Sequence, residues 1–395
     1  MILTIPNFSS EVKDELMRIM DYWIKYTPDE IKGGFYGHVD ANNKPDPDSP
    51  KGIVVNARIL WTYAAVQQTF PDSQYLVMAD RAYGYIRDQF IDKTYGGVYW
   101  QLNSDGTPQV KKKQLYGHSF ALYALSEYCK IKKEKKVLDL TNDLAHTMIG
   151  FAWDKWEGGY IEAFEEDWDE TDDYILSKGE NVKSMNTHLH LLECFTNYYH
   201  ATGNDLAKYH LKHSIEMMLD RIINPATNRM WMFFKDDWTP TTDTISYGHD
   251  IEASWLLFEA AEVLGDEKLI ARCKEMSLKM AAAAVDGLAN DGAINYEYEP
   301  STKHLLTRKD WWPQAEAMVG FYNAYQLSGK VHYREKAEKV WMFIKKHLID
   351  YEKGEWYGSV SADYKTKSKD KVTLWKCPYH NGRACLEMYK RLKSK

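Results

Sequence analysis

The sequence predicts an all-α protein, an (α/α)6 barrel of twelve helices in two concentric rings, and two observations carry that prediction. The first is a glycine–aromatic punctuation: GGFYG at Gly33, GGVYW at Gly96, GGYIE at Gly158, RMWMF at Arg229, DGAINYE at Asp291 and GEWYG at Gly354. Aligned on Gly34, Gly97, Gly159, Arg229, Gly292 and Glu355, these motifs lie 63, 62, 70, 63 and 63 residues apart. The second is that two kinds of helix alternate around each motif, one with a charged face before it and one almost wholly apolar after it. A repeat of this kind holds one supersecondary unit that cannot bury its apolar face alone. Six αα-hairpins close most simply into two rings. No polar capping repeat, such as an open solenoid needs, marks either end. Length alone allows two or three domains, but closure on one core makes 1–395 a single expected domain.

The charged-face helices are expected at 10–26, 73–91, 136–153, 205–223, 267–285 and 331–349. In the first, EVKDELMRIMDYWIKY, the residues Val12, Leu16, Ile19, Met20 and Trp23 recur at three- and four-residue spacing. That makes one apolar stripe on a 3.6-residue helix. The apolar helices are expected at 56–70, 116–130, 185–202, 246–264, 312–328 and 378–392. The stretch 246–264, SYGHDIEASWLLFEAAEVL, crowds its polar groups into the first turn and then has no charged outer face. Such a helix is surrounded by protein, so these six form the inner ring. Each glycine–aromatic turn leads from an outer helix towards the start of an inner one. The polar openings of all six inner helices therefore face one barrel end and are expected to share a pocket. The third unit carries an insertion, 165–183, read as a surface loop beside the mouth that is either a lid or a plain solvated connection.

Lys plus Arg number 50 and Asp plus Glu 57, a net charge of −7. That excludes the basic stripe of a nucleic-acid surface, and the lysine-rich runs 111–113 and 130–136 read as solvated faces. No apolar run reaches the roughly 18 residues of a membrane span. The five cysteines are odd in number and form no CxxC, and MILTIPNFSSEVKD is not a leader. A reduced, cytoplasmic protein is expected, a monomer or weak homodimer with no membrane partner. Aromatic residues make up 14% of the chain and include 14 tryptophans, enough for a core and for a pocket that stacks on sugar rings.

The helix openings contribute Arg58; Tyr116 and His118; Asn186, His188 and His190; His249 and Glu252; Trp311, Trp312 and Glu316; and His380, Asn381 and Arg383. A histidine titrates near pH ~6.5 and serves as acid or base around neutrality. A helix N-terminus favours its neutral form, the one a base needs. This set suits proton abstraction beside a carbonyl, with Arg58 stabilising a developing enediolate. Asn186 and His190 share a helix face, whereas His188 points about 200° away from His190 and is expected to be structural. The spacing His188-x-His190 is not that of helical ligands, and neither HExxH nor a carboxylate cluster is present, so no metal is expected. Glu252 and Glu316 could instead be the two acids of a glycoside hydrolase, which would leave the histidines surplus.

Four stretches in order, SMNTHLH, YGHDIEASW, RKDWWPQAEA and KCPYHNGRACLEMY, resemble the N-acylglucosamine 2-epimerase superfamily, and the resemblance covers the whole chain. It implies an (α/α)6 barrel and cofactor-free epimerisation at C2 of the reducing-end glucose of β-1,4-linked disaccharides such as cellobiose and lactose. It further implies His249 and His380 as general acid/base pair, His190 as a third histidine and Arg58 on the reacting oxygens. Tyr116, Asn186 and Glu252 match supporting polar residues, and Trp312 and Trp375 match stacking tryptophans. Aldose–ketose isomerases and an N-acetylmannosamine-forming epimerase share the scaffold, so the resemblance fixes substrate less closely than chemistry.

Overall fold

A computed structural model describes residues 5–172, 174–177 and 182–393. Among them twelve α-helices follow one another: α1 (Phe8–Tyr26), α2 (Ile53–Thr69), α3 (Ser73–Tyr85), α4 (Leu115–Ile131), α5 (Lys135–Ala152) and α6 (Met185–Thr202). The second half repeats the pattern with α7 (Asp205–Met217), α8 (Tyr247–Leu264), α9 (Glu267–Ala284), α10 (Trp311–Ser328), α11 (Val331–Phe343) and α12 (Tyr379–Lys393). Three outer helices end in a wider π-helical turn, Ile86–Phe90, Met218–Ile222 and Ile344–Leu348, which carries them to the ends the periodicity predicts.

The even-numbered helices pack side by side in a closed inner ring, α2 against α4 and onward to α12, which returns to α2. Each outer helix packs on the inner helix before it, and α1 packs on α12, joining the two ends of the chain. The stripe Val12, Leu16, Ile19, Met20 and Trp23 is fully buried beneath α1. Short strands link successive units around the mouth, beginning with Lys51–Gly52 against Gln101–Leu102. Val39 and Val372 exchange backbone hydrogen bonds of 3.2 Å, so the first unit closes on the sixth. Among the described residues no helix is long and apolar enough to cross a membrane. All five cysteines are unpaired thiols.

The punctuating turns are held from below by the inner helices. The amides of Val98, Tyr160, Met230 and Ile294 donate to His118 Nε2, His188 Nε2, Asp250 Oδ1 and Gln314 Oε1 at 3.0, 3.1, 2.9 and 2.8 Å. Gly97 precedes the first of these amides with φ +73°, and a Cβ there would lie 2.5 Å from His118 Nε2, so only glycine fits. The hydrogen-bond register corrects one alignment. The fifth turn is a residue shorter, and Ala293, not Gly292, accepts the bond from Ala289 that Gly34 accepts from Asp29.

Two lysines read as solvated are not. Lys113 is wholly buried and pairs with Asp92 at 2.5 Å, and Lys130 donates to Glu127 and Asn197 at 2.8 and 2.5 Å. Lys113 belongs to a repeating brace with Lys51–Asp29, Lys183–Asp154 and Lys371–Asp350 at 2.8, 2.6 and 2.7 Å. In the fourth unit these positions hold Ile245 and Asn224, so both halves of the pair are lost together. The acidic insertion also begins later than the sequence suggests. Trp168 packs on His118 as Trp238 packs on His188, at ring distances of 5.1 and 5.0 Å, so 165–170 is part of the repeat. The expectation of a lid across 165–183 falls partly on 173 and 178–181, outside the described residues.

His118 and His188 therefore belong to the scaffold. Each ring also bonds the carbonyl four residues back, Gln114 and Ser184, at 2.9 and 2.8 Å. Burial pushes His118 down to about 3 and His188 to about 4, keeping both neutral. An unfolded histidine titrates near ~6.5, so the unfolded chain binds the extra proton between there and about 4. The stabilising contribution of His188 is thus complete above the unfolded value and is lost as pH falls towards the folded one. His188→Ala should cost about 1–3 kcal/mol by stranding the Tyr160 amide, with kcat unchanged. His188→Gln, which copies Gln314, should recover most of this at neutral pH, and the parent's advantage over it should shrink between pH 7.5 and 5. His190→Ala should do the reverse of His188→Ala, losing turnover and keeping the fold. Thermal melts beside kcat measurements check both.

Candidate active site

Inner-helix geometry selects which side chains reach the barrel axis. Arg58, His190, Glu252 and Glu316 are each the sixth residue of their helices, α2, α6, α8 and α10. Tyr116, Asn186 and Trp312 are second in α4, α6 and α10, one turn nearer the mouth, and His249 is third in α8. α12 supplies His380 and Arg383. A cavity of about 360 Å³ opens there. It is lined by Arg58, Tyr116, Asn186, His190, His249, Glu252, Trp312, Trp375 and His380, the nine residues to which the family resemblance gives roles, together with Trp311, also named at a helix opening, and with Tyr296 and Asp310.

Each cavity histidine is tethered through Nδ1. His380 meets Glu316 Oε1 at 2.7 Å, His190 meets Glu193 Oε2 at 3.1 Å and His249 meets Ser246 Oγ at 2.7 Å. A carboxylate that accepts from Nδ1–H leaves the lone pair on Nε2, the form of a general base. Burial, reinforced by the neighbouring His190 and His380, pushes His249 down to about 3. Burial, then the Arg58 and Arg383 charges, drive His380 well below its ordinary value. Burial also lowers His190, against the pull of Glu193. All three rings are neutral at neutral pH. Trp312 packs against two of them, 4.6 Å from His249 and 5.7 Å from His380 by ring centres.

Arg58 is buried over the faces of Phe120 and Tyr379, at 4.1 and 5.1 Å. Its Nη2 donates to Tyr116 Oη at 3.0 Å, while Nε has no partner among the described residues. Burial works against its charge, but Tyr116 and other neighbours outweigh it and push its pKa up, so the guanidinium stays protonated, and among the described residues that line the cavity it is the one Lys or Arg. Asn186 Oδ1 likewise has no partner among the described residues. Both groups suit hydroxyl-bearing ligands. Trp375 stands at the mouth, 41% exposed, with its ring 6.0 Å from Tyr116 and edge-on to it.

Beneath this layer the sequence reading needs two corrections. It finds no carboxylate cluster, yet Glu193, Glu252 and Glu316 converge on Arg383. The Nη2 of Arg383 donates to Glu252 and Glu316 at 2.7 Å each, and Nη1 bonds Glu193. Glu252 Oε, Glu316 Oε and one nitrogen of His380 fall within 4.8 Å of one another, the spacing of a cation site. The guanidinium of Arg383 already supplies the cation there. Nor do Glu252 and Glu316 face each other across an open cleft, as a glycoside hydrolase needs. Both are 1% exposed and share one arginine nitrogen. Burial and then the charge of Glu316 push Glu252 well up. Burial acts the same way on Glu193, but Arg383 and the His190 hydrogen bond bring it down to about 2.

Sequence reasoning passes over Glu193, Ser246, Tyr296 and Asp310. Glu193 had a signal, because it follows His190 by three residues and so lies on the same helix face. Asp310 had none: its carboxylate takes two bonds from Arg308, at 2.6 and 3.1 Å, in a strand before α10.

Twelve helices closed into two rings, with neutral histidines, a buried arginine and tryptophans around one cavity, define an (α/α)6-barrel enzyme of carbohydrate chemistry. The chain belongs to the N-acylglucosamine 2-epimerase family, whose model matches residues 34–384. A cellobiose 2-epimerase of Bacteroides fragilis is 41% identical over 382 residues, which covers 96% of this chain and 97% of that one. A solved sugar epimerase from a ruminal bacterium superposes with a TM-score of 0.93 at 39% identity, covering 97% of this chain and 98% of its own. The cellobiose 2-epimerase of Bacillus thermoamylovorans B4167 superposes with a TM-score of 0.93 at 33% identity, covering 98% and 100%.

Proposed function

We propose that this chain, acting as one catalytic domain, epimerises C2 of the reducing-end glucose of β-1,4-linked disaccharides, turning cellobiose into glucosyl-mannose and lactose into epilactose. The observation that carries the reading is the pair of neutral, Nδ1-tethered histidines, His249 and His380, both lining one cavity and both packed against Trp312. The sugar opens to its aldehyde form. One histidine takes the C2 proton, and the electron pair moves onto the carbonyl to give a cis-enediolate whose charge Arg58 and Tyr116 stabilise. The other histidine, protonated from solvent while the first gives its proton up to solvent, delivers that proton to the opposite face of C2, inverting it. Two bases are needed because inversion requires a proton from each side. His190, Asn186 and Glu252 hold the sugar oxygens. Five unpaired thiols suit a reducing compartment, the cytoplasm.

Product analysis after incubation with cellobiose tests the reading. Glucosyl-mannose supports it; free glucose would mean hydrolysis, and a ketose-ended disaccharide would mean that the enediolate is reprotonated at C1. The chemistry asks nothing of a metal, because the positive charge beside the carboxylates is Arg383. Prolonged dialysis against a chelator should therefore leave the rate unchanged, and activity restored by one divalent ion would contradict this.

Trp375 suits the second, non-reducing ring, since it stands at the mouth above Tyr116. A contact with a remote part of the substrate contributes only when that part is present. Trp375→Ala should weaken kcat/KM for cellobiose by about ten-fold or more and leave residual turnover of mannose nearly unchanged. Equal losses on both sugars would assign the indole to the reacting ring or to the fold.

A further inference from the structure

The sixth unit departs from the others in two places, and both meet at one carboxylate. In the first three units the left-handed turn position is Gly34, Gly97 or Gly159, with φ of +63°, +73° and +76°. In the sixth it is Glu355, with φ +61°, a conformation that residues with a Cβ avoid. The second departure lies in the approach to the inner helix. After Lys51, Lys113, Lys183 and Lys309 the next helix begins two residues on, at Ile53, Leu115, Met185 and Trp311. After Lys371 it begins only at Tyr379. Residues 373–378 are therefore additional, and they carry Trp375.

Glu355 joins these two features. Its side chain is wholly buried. It accepts from Trp23 Nε1 on α1 at 3.2 Å, from the Trp356 amide at 2.5 Å, from Asn381 Nδ2 at 2.8 Å and from Lys376 Nζ at 2.5 Å. In four other units the amide corresponding to that of Trp356 is taken directly by an inner-helix side chain, His118, His188, Asp250 or Gln314. Here the carboxylate takes the amide itself and reaches α12 through Asn381, the neighbour of His380. The same carboxylate draws in Lys376, the neighbour of Trp375. Lys376 also donates to the Lys371 carbonyl at 3.2 Å, while the amides of Trp375 and Lys376 donate to Thr373 Oγ1 at 3.2 and 3.0 Å, so the additional segment is a tied turn. Glycine would satisfy the backbone at 355 without strain. Strain kept at such a place has its reason in what the side chain holds.

We propose that Glu355 is a positioning residue which, through Lys376 and Asn381, sets Trp375 and His380 against the substrate. The proposal rests on the epimerase reading above. Glu355→Gly gives the sixth turn the residue of the first three and removes both contacts, whereas Lys376→Met removes only the tie to the additional segment. Lys376→Met should raise KM for cellobiose about ten-fold with kcat nearly kept. Glu355→Gly should raise KM as much and also lower kcat about ten-fold or more, with a cooperative melt in both variants. Glu355→Gln, whose one oxygen can keep the bonds from Asn381 and Trp23 while its amide nitrogen replaces the oxygen that meets Lys376 and the Trp356 amide, should restore kcat but not KM. Parent values of kcat and KM with only a lower melting temperature would overturn the proposal, because the carboxylate would then serve the fold alone. Failure of both Glu355→Gly and Lys376→Met to fold would overturn it in the same way. The parent run alongside separates the two readings: a parent that does not turn over cellobiose rejects the epimerase, and parent-like variants reject the role of Glu355.

Discussion

His249→Asn and His380→Asn should each abolish epimer formation, a loss on the order of 10⁴-fold, while leaving a slow exchange of the C2 proton with solvent. Inversion needs a base on each face of C2, so either substitution stops it. The remaining histidine can still take a proton and return one on its own side. In heavy water the two variants should therefore label opposite epimers, one the glucose form and the other the mannose form. C2 deuterium in recovered glucosyl-glucose and glucosyl-mannose, read by NMR, decides this. Labelling of the same epimer by both variants would put both histidines on one face. Neither substitution should unfold the protein, because these rings bond side chains, Ser246 and Glu316, and hold no turn amide.

Arg383→Met is expected to have the largest effect on stability, about 3–5 kcal/mol, together with loss of turnover. Glu193, Glu252 and Glu316 all bond this one guanidinium, which is 2% exposed and packed over Trp255 and Tyr379 at 4.9 and 4.3 Å. Without it, buried carboxylates face one another with no counter-charge. Two of them also tether cavity histidines, Glu193 to His190 and Glu316 to His380, so the fold and the proposed proton-transfer geometry should fail together. Glu193→Gln in the Arg383→Met background should recover part of the stability by removing one uncompensated charge. Urea midpoints of the two variants test this. A single variant that melts with the parent would mean that Arg383 is not the counter-ion of the cluster.

Much of the molecule is legible in the chain because the repeat is written in short-range patterns. Val12, Leu16, Ile19, Met20 and Trp23 make a stripe that needs no partner to be seen, and the glycine pairs mark where the chain turns. The polar first turns of the inner helices become one cavity only because ring closure brings six of them together, and the repeat itself implies that closure. The buried charges are legible only in part. Glu193 and Arg383 lie 190 residues apart, and nothing local tells that they touch. Lys113 reads as part of a solvated run because its partner, Asp92, precedes it by 21 residues on another element. The alignment at Gly292 slips by one because a glycine marks a turn without giving its length. The hydrogen bond from Ala289 to Ala293 gives that length.

The parent protein should exchange and invert C2 without a hydride shift and without breaking the glycosidic bond. The most direct measurement is a time course of the parent with cellobiose in heavy water, followed by proton and carbon NMR. Two-base inversion should give glucosyl-mannose carrying one solvent deuterium at C2, with the disaccharide link intact and deuterium entering recovered cellobiose only as the reverse reaction proceeds. Glucosyl-mannose that keeps its original C2 hydrogen, or free glucose as the main product, would contradict it.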